Sequence, residues 1–237
     1  MVTKSMSEGV GYLVFGATGA VGSACLSNLL SKDAKDVARV VTVGRRRMEE
    51  LDDPRLSQII VQSLEGVDTD AEVGSALRGK VDVALCCLGT TRSDAGSAAA
   101  FRKVDVEYVG SCARLAKAVG VGSFGLVSAQ GANKNLWASD LKLFHGLLYA
   151  KSKGIAEELV VSANFPSTVI LRPGLMRRGP AARFGEKLGA WILPAVDVEQ
   201  VAKTMIDATT QGARSKGGAE EQTVRIMEMR DIMSHSV

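Results

Sequence analysis

Val10-Gly-Tyr-Leu-Val-Phe15-Gly16-Ala-Thr-Gly19-Ala-Val-Gly22 is an apolar run that breaks at once into three evenly spaced glycines. Beyond them Val21, Cys25, Leu26, Leu29 and Leu30 recur at helical spacing, so the segment reads as strand, tight turn and helix. The turn has a physical purpose. Backbone without a Cβ can bend sharply and let a pyrophosphate approach. The free amides of the helix's first turn, at the positive end of its dipole, then face the anion. Gly16, Thr18, Gly19, Ala20, Val21 and Gly22 are therefore candidate dinucleotide-binding residues, with Gly22 letting helix and strand pack closely.

Outward from this segment, apolar runs over 38–43, 58–62, 81–88, 123–127, 168–171 and 223–227 read as further strands. Helical periodicity covers 101–119, 146–161 and 198–208. Nearly continuous apolar strands alternating with helices predict an α/β fold, a doubly wound parallel sheet of the Rossmann type with about seven strands. No internal repeat divides the chain, and 237 residues suit one such domain. The expectation is a single domain over 1–237, with 174–196, which follows neither period cleanly, as a small cap on the substrate side.

Composition narrows the function. With 46% hydrophobic residues and 5 Pro, the chain is not of a disordered class. No apolar run approaches the roughly 20 residues of a membrane span. The opening MVTKSMSEG lacks an apolar core, so no secretory signal is expected and the cytoplasm is the expected compartment, with room for association with an organelle surface. The net charge is only +3, without the basic face of a nucleic-acid binder. Charge gathers instead at Arg45–Arg47 and at Arg177 and Arg178, as a small anionic ligand or plain loop solvation would have it. Four Cys without a CxxC spacing and two His predict no metal site. Cys86 and Cys87 lie in an apolar run and read as buried thiols in a reducing compartment.

The second strand ends in Val43-Gly44-Arg45-Arg46-Arg47, where an NAD-preferring site usually places an acid for the adenosine ribose. No acid occurs before Glu49, and Arg45 and Arg46 can clamp a 2′-phosphate, so NADP(H) is the expected cofactor. Ser63 and Leu64, just past the third strand, are expected beside the adenine.

Tyr149-Ala-Lys-Ser-Lys153 sets a phenol and an ammonium one turn apart on one helix face. A free phenol with a pKa near 10 needs a neighbouring cation to exchange protons at neutral pH. Lys153 and an oxidised nicotinamide would supply that, making Tyr149 a candidate general acid, with Lys153 also donating to the nicotinamide ribose. Ser128, at the carboxyl end of the fifth strand, is the candidate second donor to the reacting oxygen.

Gly16–Gly22, Ser128, Tyr149 and Lys153 together resemble the short-chain dehydrogenase/reductase superfamily. Cys87-Leu-Gly89-Thr-Thr-Arg92, Ala95-Gly96, Phe101-Arg-Lys-Val104-Asp105-Val-Glu-Tyr108 and Leu171-Arg172-Pro173-Gly174 resemble more closely an atypical branch, the Tat-interactive-protein oxidoreductase family. That resemblance implies NADPH at the glycine turn and at Arg45 and Arg46, Leu88 and Gly89 near the cofactor, and Pro173, Gly174 and Leu175 flanking the nicotinamide. The chain departs from the superfamily in two places. Cys-Leu-Gly-Thr stands where better-known members carry Asn-Asn-Ala-Gly, and Asp105 stands where a catalytic Asn is common. Relatives have also been linked to transcriptional control, nuclear transport and kinase activity, but no GxxxxGK[ST], HRD or DFG signature is present here.

The leading expectation is an NADPH-dependent reductase of an unidentified small-molecule carbonyl. The alternative is an NADPH-binding regulatory or scaffold protein that signals cofactor state to a protein partner without turnover.

Overall fold

The computed structural model describes residues 9–31, 34–140, 145–177, 195–215 and 222–235. In chain order come β1 (Val10–Phe15), α1 (Ala20–Leu29), β2 (Val37–Gly44), β3 (Leu56–Ile60), α2 (Ala71–Leu77) and β4 (Val83–Cys86). The short helices α3 (Arg92–Ala95) and α4 (Ala98–Arg102) lead through a π-helical turn, Lys103–Glu107, into α5 (Tyr108–Ala118). Then follow β5 (Ser123–Val127), α6 (His145–Ser162), β6 (Ser167–Arg172), β7 (Leu175–Arg177) and β8 (Ala195–Asp197). Last are α7 (Val198–Arg214), β9 (Thr223–Glu228) and α8 (Met229–Ser234).

Seven strands pair in the order β3-β2-β1-β4-β5-β6-β9, every pair parallel, and β7 and β8 form a small parallel pair of their own. The doubly wound sheet expected from the alternating pattern is met. β1 is bonded to β2 on one side and to β4 on the other, so the winding reverses there. A crevice therefore opens at the carboxyl ends of β1 and β4, the place where open α/β sheets bind ligands.

Strand alternation divides the core. Leu13 and Phe15 face a layer with Leu77, Val109, Leu115 and the stacked pair Phe124–Phe165, under α2, α5 and α6. Val14 faces the opposite layer with Cys25, Leu26, Val201 and Met205, under α1 and α7. Fully burying a side chain of this size contributes about 1.5–3 kcal/mol, so both helix layers are held firmly to the sheet.

Three details differ from the sequence expectation. The helix over 101–119 is interrupted by the π-helical turn, which turns Asp105 into the interior. Helix α7 runs on to Arg214, past Thr209 and Thr210, whose hydroxyls bond back to the carbonyls of Met205 and Ile206. α2, the β7–β8 pair and α8 are too short for periodicity to reveal. Of the expected cap, 178–194 lies outside the described residues, including Arg178 and Trp191.

Candidate active site

The glycine turn is built for close approach. Gly16 has φ +74°, and a Cβ there would sit 2.8 Å from the Cys87 carbonyl group, so the turn lies directly on the end of β4. A Cβ on Gly22 would sit 2.2 Å from the Gly16 oxygen, which fixes α1 tightly against the turn. Gly19 caps α1 without a side-chain hydrogen bond, and no acid stands in the first turn. The first-turn amides thus remain for an anion.

A cleft beside the turn is lined by Thr18, Val43, Arg45, Arg46, Leu64 and Leu88, among others. Arg46 Nη2 donates to Thr18 Oγ1 at 3.1 Å, so the second arginine of the cluster lies across the turn. The Arg45 guanidinium stands 6.0 Å from the centroid of the Tyr108 ring, within cation–π range. Ser63 follows β3, outside the lining of this cleft, and its hydroxyl is engaged: it donates to Tyr108 Oη at 3.2 Å and accepts from the Glu65 amide at 3.0 Å. Tyr108, which meets both Arg45 and Ser63, occupies an ordinary buried helix position, so periodicity alone did not mark it.

Lys153 and Asp105 form the charged centre. Lys153 Nζ lies 2.9 Å from Asp105 Oδ1, with side chains 5% and 0% exposed. Asp105 Oδ2 accepts the Thr90 amide at 2.9 Å, tying the Leu88–Thr90 segment to the same carboxylate. The remaining contacts of Nζ, to the carbonyls of Leu88 and Val127, are long at 3.4 and 3.5 Å, weak bonds that a ligand hydroxyl can replace. A side chain at Gly89 would come within 3.4 Å of Nζ. Burial acts to lower the Lys153 ammonium, but Asp105 more than offsets it, and Lys153 sits above the ordinary lysine value. Tyr149 is half-buried against Phe101, with Lys153 Nζ 6.0 Å from its ring centroid.

Ser128 is placed differently from its expected role. Its hydroxyl donates to Glu157 Oε1 at 2.5 Å, in the interior. Glu157 lies two helical turns past Tyr149, about 12 Å along the axis. The same carboxylate takes a bidentate grip from Arg172, at 2.9 and 2.7 Å, and Arg172 reaches on to Glu228 at 2.9 Å. This network joins β5, α6, β6 and β9. A charged residue in a helix reads as solvated, so nothing in the sequence marked Glu157.

At the other end of the crevice, Pro173 is buried and accepts the Gln130 amide at 2.9 Å, while Gly174 lies between Gln130 and Met229. Leu175 opens β7. A larger cleft beyond them is lined by Gln130, Met229, Arg230 and Met233, at the carboxyl ends of β5, β6 and β9. It faces the side where a substrate would enter. Arg177, read as one of two ligand-directed clusters, is paired with Asp197 across β7 and β8 at 2.9 Å.

The four cysteines are free thiols, three of them buried. Burial pushes Cys86 up to about 12 and Cys112 well above the usual thiol range. The Cys25 sulfur, 3.9 Å away, and burial do the same for Cys87. Among the described residues no group of His, Cys, Asp and Glu is arranged to hold a metal ion, and no helix is long and apolar enough to cross a membrane.

The residues present fit a dinucleotide: a turn with glycine at 16, 19 and 22, uncapped helix amides, and a buried ammonium whose carbonyl contacts are long. Residues 16–211 match the family model described as NAD(P)H-binding. The chain is 30% identical over 215 residues to the mitochondrial protein FMP52 of Candida albicans, covering 84% of this chain and 87% of that one. It is 35% identical over 165 residues to HTATIP2 of Rattus norvegicus, covering 69% of this chain. The chain spans 61% of the length of rat HTATIP2 and 65% of the FMP52 protein of Debaryomyces hansenii. Among solved structures, the Bordetella bronchiseptica enzyme WbmF in complex with NADH superposes with a TM-score of 0.66 at 16% identity, over 95% of this chain and 73% of that one. One expectation is overturned: the FMP52 relatives are named as mitochondrial proteins, which speaks against the cytoplasm. The turn, the sheet order and these matches converge, and the chain belongs to the NAD(P)H-binding Rossmann family as a homologue of HTATIP2 and FMP52.

Proposed function

We propose that this protein is an NADPH-dependent reductase of a small-molecule carbonyl, with Tyr149 as the general acid. The observation that carries the reading is the placement of Tyr149 and Lys153 one turn apart on α6, with Lys153 held between the ends of β4 and β5 by Asp105. The bound cofactor would supply hydride. Tyr149 would give its phenolic proton to the carbonyl oxygen as hydride arrives at carbon. Lys153 would hold the ribose by exchanging its long bonds to the Leu88 and Val127 carbonyls for bonds to the ribose hydroxyls. Arg45 and Arg46 would grip the 2′-phosphate, each charge-assisted bond being worth about 1.5–3 kcal/mol. Ser128 has no part in this reading, since its hydroxyl serves Glu157.

The test is NADPH against NADH binding to the purified protein, followed by a carbonyl screen with the wild type and Tyr149→Phe. Loss of turnover in Tyr149→Phe with NADPH affinity kept supports the assignment. Unchanged turnover sinks it. A partner interaction that follows NADPH occupancy and survives Tyr149→Phe would favour a cofactor-dependent regulatory protein instead. The FMP52 relatives extend the reading to a mitochondrial site of action, tested by fractionation of the native cells.

A further inference from the structure

A dinucleotide laid along the carboxyl ends of this sheet has its direction set by the residues already described. The pyrophosphate belongs at the glycine turn after β1. Arg45, Arg46 and Leu64 line the cleft on the β2–β3 side of it, where the adenosine half would lie. The nicotinamide half must therefore extend the other way, over β4 and β5, about 10 Å from β1 at ordinary strand spacing. That is where Lys153 Nζ sits, between the carbonyls of Leu88 and Val127.

A lone buried ammonium there would discriminate strongly between the two forms of the cofactor. The oxidised nicotinamide carries a positive charge and the reduced ring carries none. Lys153 is not alone, however. Asp105 is fully buried, its Oδ1 is 2.9 Å from Nζ, and this carboxylate oxygen has no hydrogen-bond partner besides that ion pair. Among the described residues the Tyr149 phenol and the Cys86 and Cys87 thiols also face Lys153, and burial favours the neutral form of both thiols.

We propose that Asp105 sets the redox bias of the bound cofactor: by cancelling the Lys153 charge beside the nicotinamide, it lets the site hold the oxidised form about as firmly as the reduced one. This rests on the NADP(H) reading above and adds a role for a residue that touches the cofactor only through Lys153. Asp105 is thus a positioning residue that also tunes affinity.

The experiment is calorimetric titration of the purified protein with NADPH and with NADP+. The wild-type affinities are expected to agree within roughly threefold, whereas one uncancelled charge at this distance is worth on the order of tenfold or more. In Asp105→Asn, which keeps an acceptor for the Thr90 amide, NADP+ should weaken about tenfold or more while NADPH changes less than about threefold. Asp105→Asn combined with Lys153→Met removes both charges and should bring the ratio back to the wild-type value. The lost ribose donor affects both forms alike and cancels in the ratio. A wild-type ratio beyond about tenfold in favour of NADPH, or a ratio unmoved by Asp105→Asn, overturns the proposal while leaving the cofactor reading standing. Failure of either nucleotide to bind the wild type removes that reading and this proposal with it. Should Asp105→Asn not fold, the wild-type ratio decides alone.

Discussion

Ser128 Oγ and Glu157 Oε1 are 2.5 Å apart, and both side chains are buried. The hydroxyl belongs to the frame that holds α6 on the sheet. Ser128→Ala should therefore cost stability, about 1.5–3 kcal/mol for a bond to a charged group, with turnover changed only severalfold. Chemical denaturation and steady-state rates on the same preparation separate the two effects. A thousandfold loss of turnover would return Ser128 to the chemistry.

Glu157→Ala should do more damage, because it strips Arg172 of a two-bond partner in a mostly buried place. Arg172 keeps Glu228, so the loss should stay near the low end for broken buried pairs, about 3 kcal/mol. Urea unfolding of Glu157→Ala and Glu157→Gln checks the order, with the amide the milder of the two.

Replacing both Arg45 and Arg46 with Ala should weaken NADPH by about a hundredfold or more, from two bonds of about 1.5–3 kcal/mol each, and leave NADH within a few-fold. Equal losses for both nucleotides would mean the arginines serve the turn, where Arg46 already meets Thr18, rather than the phosphate.

Gly22→Ala places a methyl 2.2 Å from the Gly16 carbonyl oxygen, backbone that has nowhere to go. The expected cost is about 1–3 kcal/mol, accompanied by loss of nucleotide binding. Thermal unfolding with and without NADPH measures both, and a stabilising response to NADPH equal to the wild type's would contradict it.

Alkali should weaken the fold in a defined window. The Cys86 thiol, raised by burial to about 12, and the raised Cys112 and Cys87 thiols stay protonated in the folded chain after they ionise in the unfolded one. Their contribution is whole below the ordinary thiol value of about 8.5 and declines above it. The raised Lys153 ammonium acts in the same direction, its contribution complete below about 10.4 and lost at higher pH. Urea midpoints under reducing conditions should be level at neutral pH and fall from about pH 8.5 upward.

The parts of this molecule that were legible in its sequence are those governed by neighbours along the chain. β1, the glycine turn and α1 are contiguous, and a nearly continuous apolar run marks each strand of the large sheet within a few residues. Arg45 and Arg46 were legible because a strand's end names its own place in a parallel sheet. Contacts between distant residues were not. Ser63 meets Tyr108 across 45 positions, and Glu157 meets Arg172 across 15. Position at the end of β5 told where Ser128 stands, but not that its hydroxyl turns toward a buried carboxylate. Asp105 stood out as a departure from a pattern, while its burial against Lys153 belonged to the folded chain alone.

The π-helical turn at Lys103–Glu107 means that the chain between Phe101 and Tyr108 holds one residue more than an unbroken α-helix would need. Length is therefore a component of this site, as much as residue type. Deleting a single residue from that turn would regularise the helix and re-aim the residues within it, since each α-helical step turns the chain by about 100°. Phe101 and Tyr108 could then both keep their places in the interior, but the carboxylate inside the turn would swing away from its ammonium. A comparison of homologous chains for this site should accordingly count residues across the turn before it asks which ones they are.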